Sequence, residues 1–190
     1  DIFKEKGCKT IGIEPTGAAS EAKKNHTNIF QAFFNDDIAQ QVIAKCGYPD
    51  IITFTNVFAH IEDLKSLIFS LKILIKKETL LVIENHYLIS VIKRFQFDTF
   101  YHEHLRTYSL NSFYYMGKML NLNIVDFKFP KRYGGNIRIY FQNKKINNER
   151  LKLSMVKEKK FFNKIKNKFL IYLDDWKVQN KIKFQILNKK

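Results

Sequence analysis

Residues 50–84, DIITFTNVFAHIEDLKSLIFSLKILIKKETLLVIE, decide the predicted fold. The apolar run at residues 50–55 is short and stops at Asn56, as a buried strand does before a loop. A stripe of leucine and isoleucine at helical spacing then covers residues 63–75. A second apolar run follows at residues 79–84. Strand, amphipathic helix and strand in this order predict a βαβ unit and a parallel sheet.

The same alternation extends toward the amino terminus. Apolar runs at residues 9–13 and 28–34 predict two more strands, and helices are predicted at residues 16–24 and 36–46. The first of these strands stops abruptly at Glu14, which precedes a proline. We therefore expect four strands with parallel connections before residue 86.

The rhythm changes in the second half of the chain. An aromatic, turn-rich stretch at residues 86–109 precedes a predicted helix at 111–121. Extended runs at 122–129 and 136–142 are close enough to form an antiparallel hairpin. One long helix is predicted from residue 147 to about residue 181. The expected fold is α/β, with a mostly parallel sheet that ends in an antiparallel hairpin and leads into a long C-terminal helix.

Composition excludes several classes of protein. The 190 residues include 18 Phe and 9 Tyr but only 7 Gly, 3 Pro and 2 Cys, so a collagen, a disulfide scaffold and a disordered chain are ruled out. Cys8 and Cys46 have no CxxC partner, which favours small buried hydrophobes in a reducing compartment. No apolar run is long enough to span a bilayer, and no signal peptide is recognisable. We expect a soluble, cytoplasmic monomer, part of a longer protein.

The basic charge is concentrated in the last quarter of the chain. Residues 144–190 hold 15 of the 33 Lys and Arg residues but only 4 of the 18 Asp and Glu residues, within a net charge of +15. Such a tract can bind phosphate backbones. The tract lacks the Gly-Phe-aromatic signature of a single-strand binding sheet, and no Cys/His finger is present. A solvated helix is therefore favoured and nucleic acid is an unlikely partner, although this alternative stays open.

Ligands of open parallel sheets bind at the carboxyl ends of the strands. Glu14 is at such an end, where a carboxylate can accept both hydroxyls of a ribose. The alternative is a solvent-facing loop acid. Phe33 and Phe34 are at the end of the next predicted strand and can flank an adenine ring, with core packing as the alternative for each.

The densest group of reactive side chains is Tyr101, His102, Glu103 and His104. His-x-His without a third ligand at fixed spacing is a weak zinc signal, so no metal site is predicted. Acid–base catalysis fits better, because histidine titrates near neutrality and an adjacent carboxylate can orient its ring. The alternative is a pair of surface or capping histidines.

A pair of glycines, Gly134 and Gly135, precedes the last predicted strand. The pair can form a tight turn, or it can let backbone N–H groups approach a ligand.

Four segments taken together resemble a known family. They are GIEPT at residues 12–16, NVFAHI at 56–61, FDTFYHEHL at 97–105 and GGNIR at 134–138. In this order they resemble the sugar C-methyltransferases, enzymes that use S-adenosylmethionine to methylate the carbon beside the keto group of a nucleotide-linked 4-keto deoxysugar. The resemblance covers about residues 5–180. It implies a class I methyltransferase fold, which is Rossmann-like, and S-adenosylmethionine as cofactor.

The resemblance also implies roles for single residues. Glu14 is expected at the cofactor ribose, Phe33 and Phe34 at the adenine and Asn56 at the methionine end. His104 matches the general base that forms an enolate, with Tyr101 and Glu103 as neighbours that shape the sugar site. The residues expected to contact the substrate are His102, Gly134, Gly135 and Asn136.

Some parts of the family pattern are not found in this sequence. The family has a Cys-rich zinc-binding region and a first strand with a Gly-rich loop before the segment seen here, and a sugar-nucleotide domain after it. Zinc is thus expected only in that missing region. We divide the chain into a methyltransferase domain lacking its first strand, residues 1–145, and a basic helical segment, residues 146–190. A non-catalytic remnant or interaction module with the same fold is the alternative.

Overall fold

Two compact units make up the structure, a computed structural model that describes residues 2–23, 26 and 28–187. The first unit is Asp1–Ile146 and contains every strand of the described residues. The second unit, Asn147–Lys190, consists of one long helix over its described residues.

The elements are numbered in chain order. The strands are β1 Ile11–Ile13, β2 Asn28–Phe30, β3 Ile51–Thr55, β4 Leu80–His86, β5 Asn123–Lys128 and β6 Asn136–Gln142. The α-helices are α1 Ile2–Glu5, α2 Ala19–Ala22, α3 Asp36–Cys46, α4 Leu64–Leu74, α5 Leu88–Lys93, α6 Leu110–Met119 and α7 Glu149–Leu187. Three short 3₁₀ turns cover Phe58–His60, Phe97–Thr99 and Arg132–Gly134.

The strands form two sheets. β1 and β2 pair in parallel in a sheet of two strands, and the other sheet has the order β3-β4-β6-β5. β3 and β4 are parallel, whereas β6 is antiparallel to both β4 and β5. The predicted change from parallel strands to an antiparallel hairpin is confirmed. Because β6 inserts between β4 and β5, the start of the hairpin strand lies beside the carboxyl end of β4.

Polar caps define where the helices begin. The Asn35 side chain accepts from the Ile38 N–H at 2.9 Å, and Asp63 accepts from the N–H groups of Lys65 and Ser66. Asn148 accepts from the Leu151 N–H at 2.9 Å, so α7 begins at Glu149 rather than at the predicted residue 147. Such a cap contributes about 1 kcal/mol by satisfying an N–H that has no helical partner.

One hydrophobic cluster supports both sheets. Its buried members come from α3 and α4: Ile38, Ala39, Val42 and Leu74. Side chains of β1, β2 and β3 pack against the same cluster. The two sheets therefore share one apolar layer, which fixes the ends of their strands as one framework.

Further elements differ from the expectations. Helix α2 covers only Ala19–Ala22 instead of residues 16–24, and the predicted end at Lys24 lies outside the described residues. Strand β2 ends at Phe30 instead of residue 34, because the segment after it turns toward the cap of α3. Helix α5 lies in the stretch expected to be turns only.

Candidate active site

His104 is held by its ring nitrogens. Nδ1 lies 2.9 Å from the backbone oxygen of Thr99, and a carbonyl oxygen can only accept, so Nδ1 carries the hydrogen. The lone pair is then on Nε2, which faces the Tyr101 hydroxyl at 3.3 Å. This second hydrogen bond is long enough to be replaced by a ligand. In the neutral tautomer that this contact selects, the basic nitrogen of His104 is turned toward Tyr101.

Two further histidines, from different elements, flank His104. The ring centroid of His60, after β3, lies 4.7 Å from that of His104, and the centroid of His86, at the end of β4, lies 5.4 Å from it. Both pairs meet edge to face. We call His60, His86 and His104 the histidine cluster. The Tyr133 ring lies on the other side of His86, at 6.2 Å.

Neighbouring rings in the histidine cluster disfavour positive charge on His86. Burial lowers the pKa of His86, and the neighbouring rings of His104 and His60 lower it further, against a smaller opposite effect of Asp98. Positive charge on one ring disfavours positive charge on the next. His86 is therefore neutral near pH 7, with one ring nitrogen donating and the other accepting.

The loop that carries His60 is fixed by two side chains from the segment before α6. Arg106 donates through Nη2 to the Glu62 backbone oxygen at 2.8 Å and through Nη1 to that of Ile61. The buried Tyr108 hydroxyl donates to the Phe58 oxygen at 3.2 Å, and burial raises the pKa of Tyr108, so the donor stays protonated. The position of His60 is thus set by contacts between segments that are more than 40 residues apart in the chain.

A buried ion pair lies next to the histidine cluster, two residues before His86. The Glu84 side chain is almost fully buried, and Arg138 of β6 donates from Nε and Nη2 to its Oε2 oxygen, both at 2.6 Å. The hydrogen bond from Arg138 to Tyr140, and then that to Glu84, raise the pKa of Arg138. This ion pair links β4 to β6 next to the histidine cluster.

Asn136 links this ion pair to the loop after β3. Its Nδ2 group donates to Glu84 Oε1 at 2.8 Å and to Asn56 Oδ1 at 3.1 Å. Asn56 has a positive φ of 54° and its N–H donates to the Glu84 backbone oxygen at 2.8 Å. Asn56 and Asn136, predicted at the cofactor and at the substrate, are therefore in direct contact with each other.

The glycine pair before β6 is closely packed. A Cβ on Gly134 would lie 2.0 Å from Gln96 Nε2, and one on Gly135 would lie 2.6 Å from Ser90 Oγ. Both glycines have positive φ, and Tyr133 before them has φ 49°, an uncommon conformation for a bulky residue. The close approach that requires glycine is thus to α5 and the segment after it.

Glu14 lies in an open region at the carboxyl end of β1. Its Oε1 accepts from the Thr16 hydroxyl at 2.6 Å and from the Thr16 N–H at 2.8 Å, and these bonds lower the pKa of Glu14. Oε2 makes no hydrogen bond to the described residues. Glu14 is thus ionised at neutral pH with one oxygen available to a ligand.

The two phenylalanines after β2 differ in environment. Phe33 is 80% exposed, while Phe34 packs against the hydrophobic cluster of α3 and α4. Of these two residues, it is Phe33 that presents its ring to solvent.

The carboxylate of Glu103 does not face His104. It lies 3.9 Å from Nε2 of His102, and the side chains of both residues are largely exposed. The Thr99 carbonyl, rather than the adjacent carboxylate, holds the tautomer of His104.

Sequence reasoning missed several members of this site, although some signals were visible. His60 lies inside the NVFAHI segment and His86 directly follows the Glu-Asn end of a predicted strand. The role of Thr99 has no sequence signal, because its backbone oxygen makes the contact. The pairing of Glu84 with Arg138 depends on β6 inserting beside β4, which sequence alone does not give.

Other features of the described residues lie outside this site. Two cavities, of about 350 and 450 Å³, lie between the start of α4 and helix α6 and share Leu64, Arg106 and Met119. Within residues 2–23, 26 and 28–187, no group of His, Cys, Asp or Glu is arranged to hold a metal ion. Over the same residues, no helix combines the length and the apolarity that a membrane span needs.

Comparison with known proteins identifies the class. Residues 1–126 match the family described as Methyltransferase domain, and the chain belongs to this family. Its α/β architecture is that of the class I methyltransferases that depend on S-adenosylmethionine.

A curated relative is C-methyltransferase NovU of Streptomyces niveus. It is 26% identical over 141 residues, which are 74% of this chain and 34% of the relative. The chain thus spans about a third of the length of this relative.

Solved structures show the same fold. A SAM-dependent methyltransferase from Archaeoglobus fulgidus is similar with a TM-score of 0.52 at 14% identity, over 73% of this chain and 79% of that one. The PH0226 protein from Pyrococcus horikoshii is similar with a TM-score of 0.53 at 10% identity, over 75% of each chain. At these identities the similarity concerns the fold alone.

Proposed function

We propose that this chain is part of a C-methyltransferase that methylates the carbon beside the keto group of a nucleotide-linked deoxysugar, with His104 as the general base. The geometry of His104 carries the proposal, because Thr99 holds hydrogen on Nδ1 and leaves Nε2 as a base. The relative NovU is named a C-methyltransferase, which supports transfer to carbon. The four sequence segments resembling sugar C-methyltransferases support a sugar substrate.

Residues at the open end of β1 and β2 fit the cofactor. Glu14 is ionised and has a free Oε2, as a partner of two ribose hydroxyls requires, and the exposed Phe33 ring can cover the adenine. Asn56 is proposed at the methionine end. S-adenosylmethionine supplies an electrophilic methyl group on a sulfonium when bound.

The chemistry then depends on one proton transfer. A hydrogen on the carbon beside a carbonyl is acidic enough for a positioned imidazole to remove. Nε2 of His104 takes it, and the enolate carbon becomes the nucleophile. Tyr101, at the same nitrogen, is proposed to shape the sugar site together with Glu103. His102, Gly134, Gly135 and Asn136 are proposed on the substrate side.

Hydrogen exchange tests this proposal directly. A nucleotide-linked 4-keto deoxysugar is incubated with the chain and S-adenosylmethionine in D₂O, and mass spectrometry measures exchange beside the keto group and addition of a methyl group. His104→Ala is expected to lower both by about 10²–10⁴-fold, since general-base catalysis contributes that much. Its affinity for S-adenosylmethionine by calorimetry is expected to stay within about twofold of wild type.

A matched variant controls for loss of a histidine as such. His26 lies against Gly12 of β1, and the structure gives it no ring contact with His104. His26→Ala is expected to keep the exchange rate. Full exchange in His104→Ala, or none in the wild-type chain, would contradict the proposal.

A further inference from the structure

His86 is the member of the histidine cluster that lies in a β-strand. It ends β4, where residue 86 pairs with Asn136 of β6. The next N–H, of Tyr87, donates to the Gly135 oxygen at 3.2 Å. Because Gly135 is itself packed against Ser90, the backbone around His86 has little freedom to move. The ring of His86 is therefore presented from a fixed position.

The ring of His86 lies beside His104, the proposed base, where a hydrogen-bond donor to the substrate would be needed. The centroids of His86 and His104 are 5.4 Å apart and the rings meet at 72°. In a keto sugar the carbonyl oxygen is two bonds from the carbon that loses its hydrogen. A ligand whose hydrogen faces Nε2 of His104 thus carries an oxygen within reach of a neighbouring donor. His60 is also near His104, but it is exposed, whereas His86 is partly buried, and a donor that is shielded from water stabilises charge more strongly.

The charge state of His86 suits donation without proton loss. The charged groups that act on it are His104, His60 and Asp98, and the Tyr133 ring is a further neighbour. Burial and the two other rings lower the pKa of His86, so it is neutral when His104 becomes positive. A second positive charge would oppose the proton transfer to His104.

We propose that His86 is a second catalytic residue, whose ring N–H donates a hydrogen bond to the keto oxygen of the substrate as negative charge develops there. This inference rests on the proposed function, because it assigns the partner of the enolate that His104 generates.

The electron balance of the step is simple. Nε2 of His104 takes the proton, the pair of the broken C–H bond becomes the C=C bond, and the carbonyl π pair moves to the oxygen. His86 hydrogen-bonds this oxyanion and keeps its own proton. The enolate carbon then bonds to the methyl group, the carbonyl re-forms, and the pair of the broken S–C bond stays on the sulfur. His104 returns its proton to solvent.

The test uses the exchange assay with two substitutions at one position. His86→Met removes the donor, and the D₂O exchange and methyl-transfer rates are expected to fall about 10²–10³-fold, as for other oxyanion donors. His86→Gln keeps an N–H donor, and both of its rates are expected to be at least about tenfold higher than those of His86→Met. Calorimetry with S-adenosylmethionine should give a Kd within about twofold of wild type for both variants.

The outcomes separate the two proposals. An active wild-type chain with His86→Met equally active would overturn the role of His86 and leave His104 as base. Equal losses in His86→Met and His86→Gln would also overturn it, since they would indicate a packing role. A wild-type chain that exchanges no hydrogen would overturn the proposed function and this inference with it. Should His86→Met fail to fold by circular dichroism, His86→Glu, which matches glutamine in size but has no donor when ionised, replaces it.

Discussion

Two carboxylates that look alike in sequence lie in opposite environments. Glu14 ends an apolar run before a loop, and so does Glu84. Among the described residues the Glu14 carboxylate accepts from Thr16 alone, whereas Glu84 is buried between Arg138 and Asn136. The difference comes from the neighbouring strands. β6 pairs with β4 at the level of Glu84, whereas the loop that follows β1 is exposed. A carboxylate at a strand end thus bonds only to its own loop in one case and belongs to a buried ion pair between strands in the other.

The largest effect is expected at the buried carboxylate. Glu84→Gln leaves the Arg138 guanidinium without its counter-ion, and the free energy of unfolding is expected to fall by about 2–3 kcal/mol, because Arg138 is partly reached by water. Urea unfolding followed by circular dichroism measures it. The matched variant Glu14→Gln is expected to unfold within about 0.5 kcal/mol of wild type. Equal losses at both positions would remove the distinction.

A pair of glycine variants extends the comparison to the backbone. Gly135→Ala places a Cβ against Ser90 at a φ of 123°, and a loss of about 2 kcal/mol is expected from the clash and the strain. Gly17, beside Glu14, has open space around it and a φ that other residues adopt. Gly17→Ala is expected to be neutral or slightly stabilising in thermal melts. A large loss there would show that the Glu14 region is as tightly constrained as the Glu84 region.

Cofactor affinity should depend on the open carboxylate. Glu14→Gln is expected to weaken binding of S-adenosylmethionine about tenfold, or about 1.4 kcal/mol, by removing charge-assisted hydrogen bonds to the ribose. Isothermal titration calorimetry on the whole chain measures the Kd. Thr16→Val, which removes the hydroxyl bond to Oε1 but keeps the one from the backbone N–H, serves as the companion variant and should not weaken binding as much. An unchanged Kd in Glu14→Gln would make this residue a loop acid, the alternative raised from sequence.

The smallest expected effect is a pH dependence near the buried region. The pKa of His86 is lowered in the folded chain, so below its ordinary value of 6.5 the unfolded chain binds more protons. Stability is therefore expected to fall as pH drops from 7 through 6, and His86→Gln should reduce that slope. The lowered pKa of Glu14 acts in the same direction at lower pH, since its contribution to stability is lost only as pH falls below its ordinary value of 4.5. Parallel melts of wild type and His86→Gln that keep the same slope would contradict this assignment.

Periodicity was enough to predict most of the fold. The bounds of α3 and β6 agree with the apolar pattern, because a cap at Asn35 and a glycine pair mark their first residues. Strand β2 is shorter than its apolar run, since Phe33 and Phe34 belong to the loop. A continuous apolar run does not reveal which of its members leaves the sheet.

Only part of the candidate site could be predicted from the sequence, because some of its contacts have no local sequence signal. His104 and Glu14 stand out by residue type and by their place in recognisable segments. Thr99 acts through its backbone oxygen and Glu84 through a strand that arrives 52 residues later, so neither contact has a local signal. Contacts made by the backbone or across a sheet require the topology to be known.

The side chain of Asn136 sets a condition on three positions at once. Both of its amide hydrogens are used, one by Glu84 and one by Asn56. Serine at 136 would have a single hydrogen to give, and aspartate would have none and would meet Glu84 with like charge. A change at 136 is thus tolerated only together with a change at 56 or 84. A redesign of the β3 loop or of the hairpin therefore has to consider Asn56, Glu84 and Asn136 together.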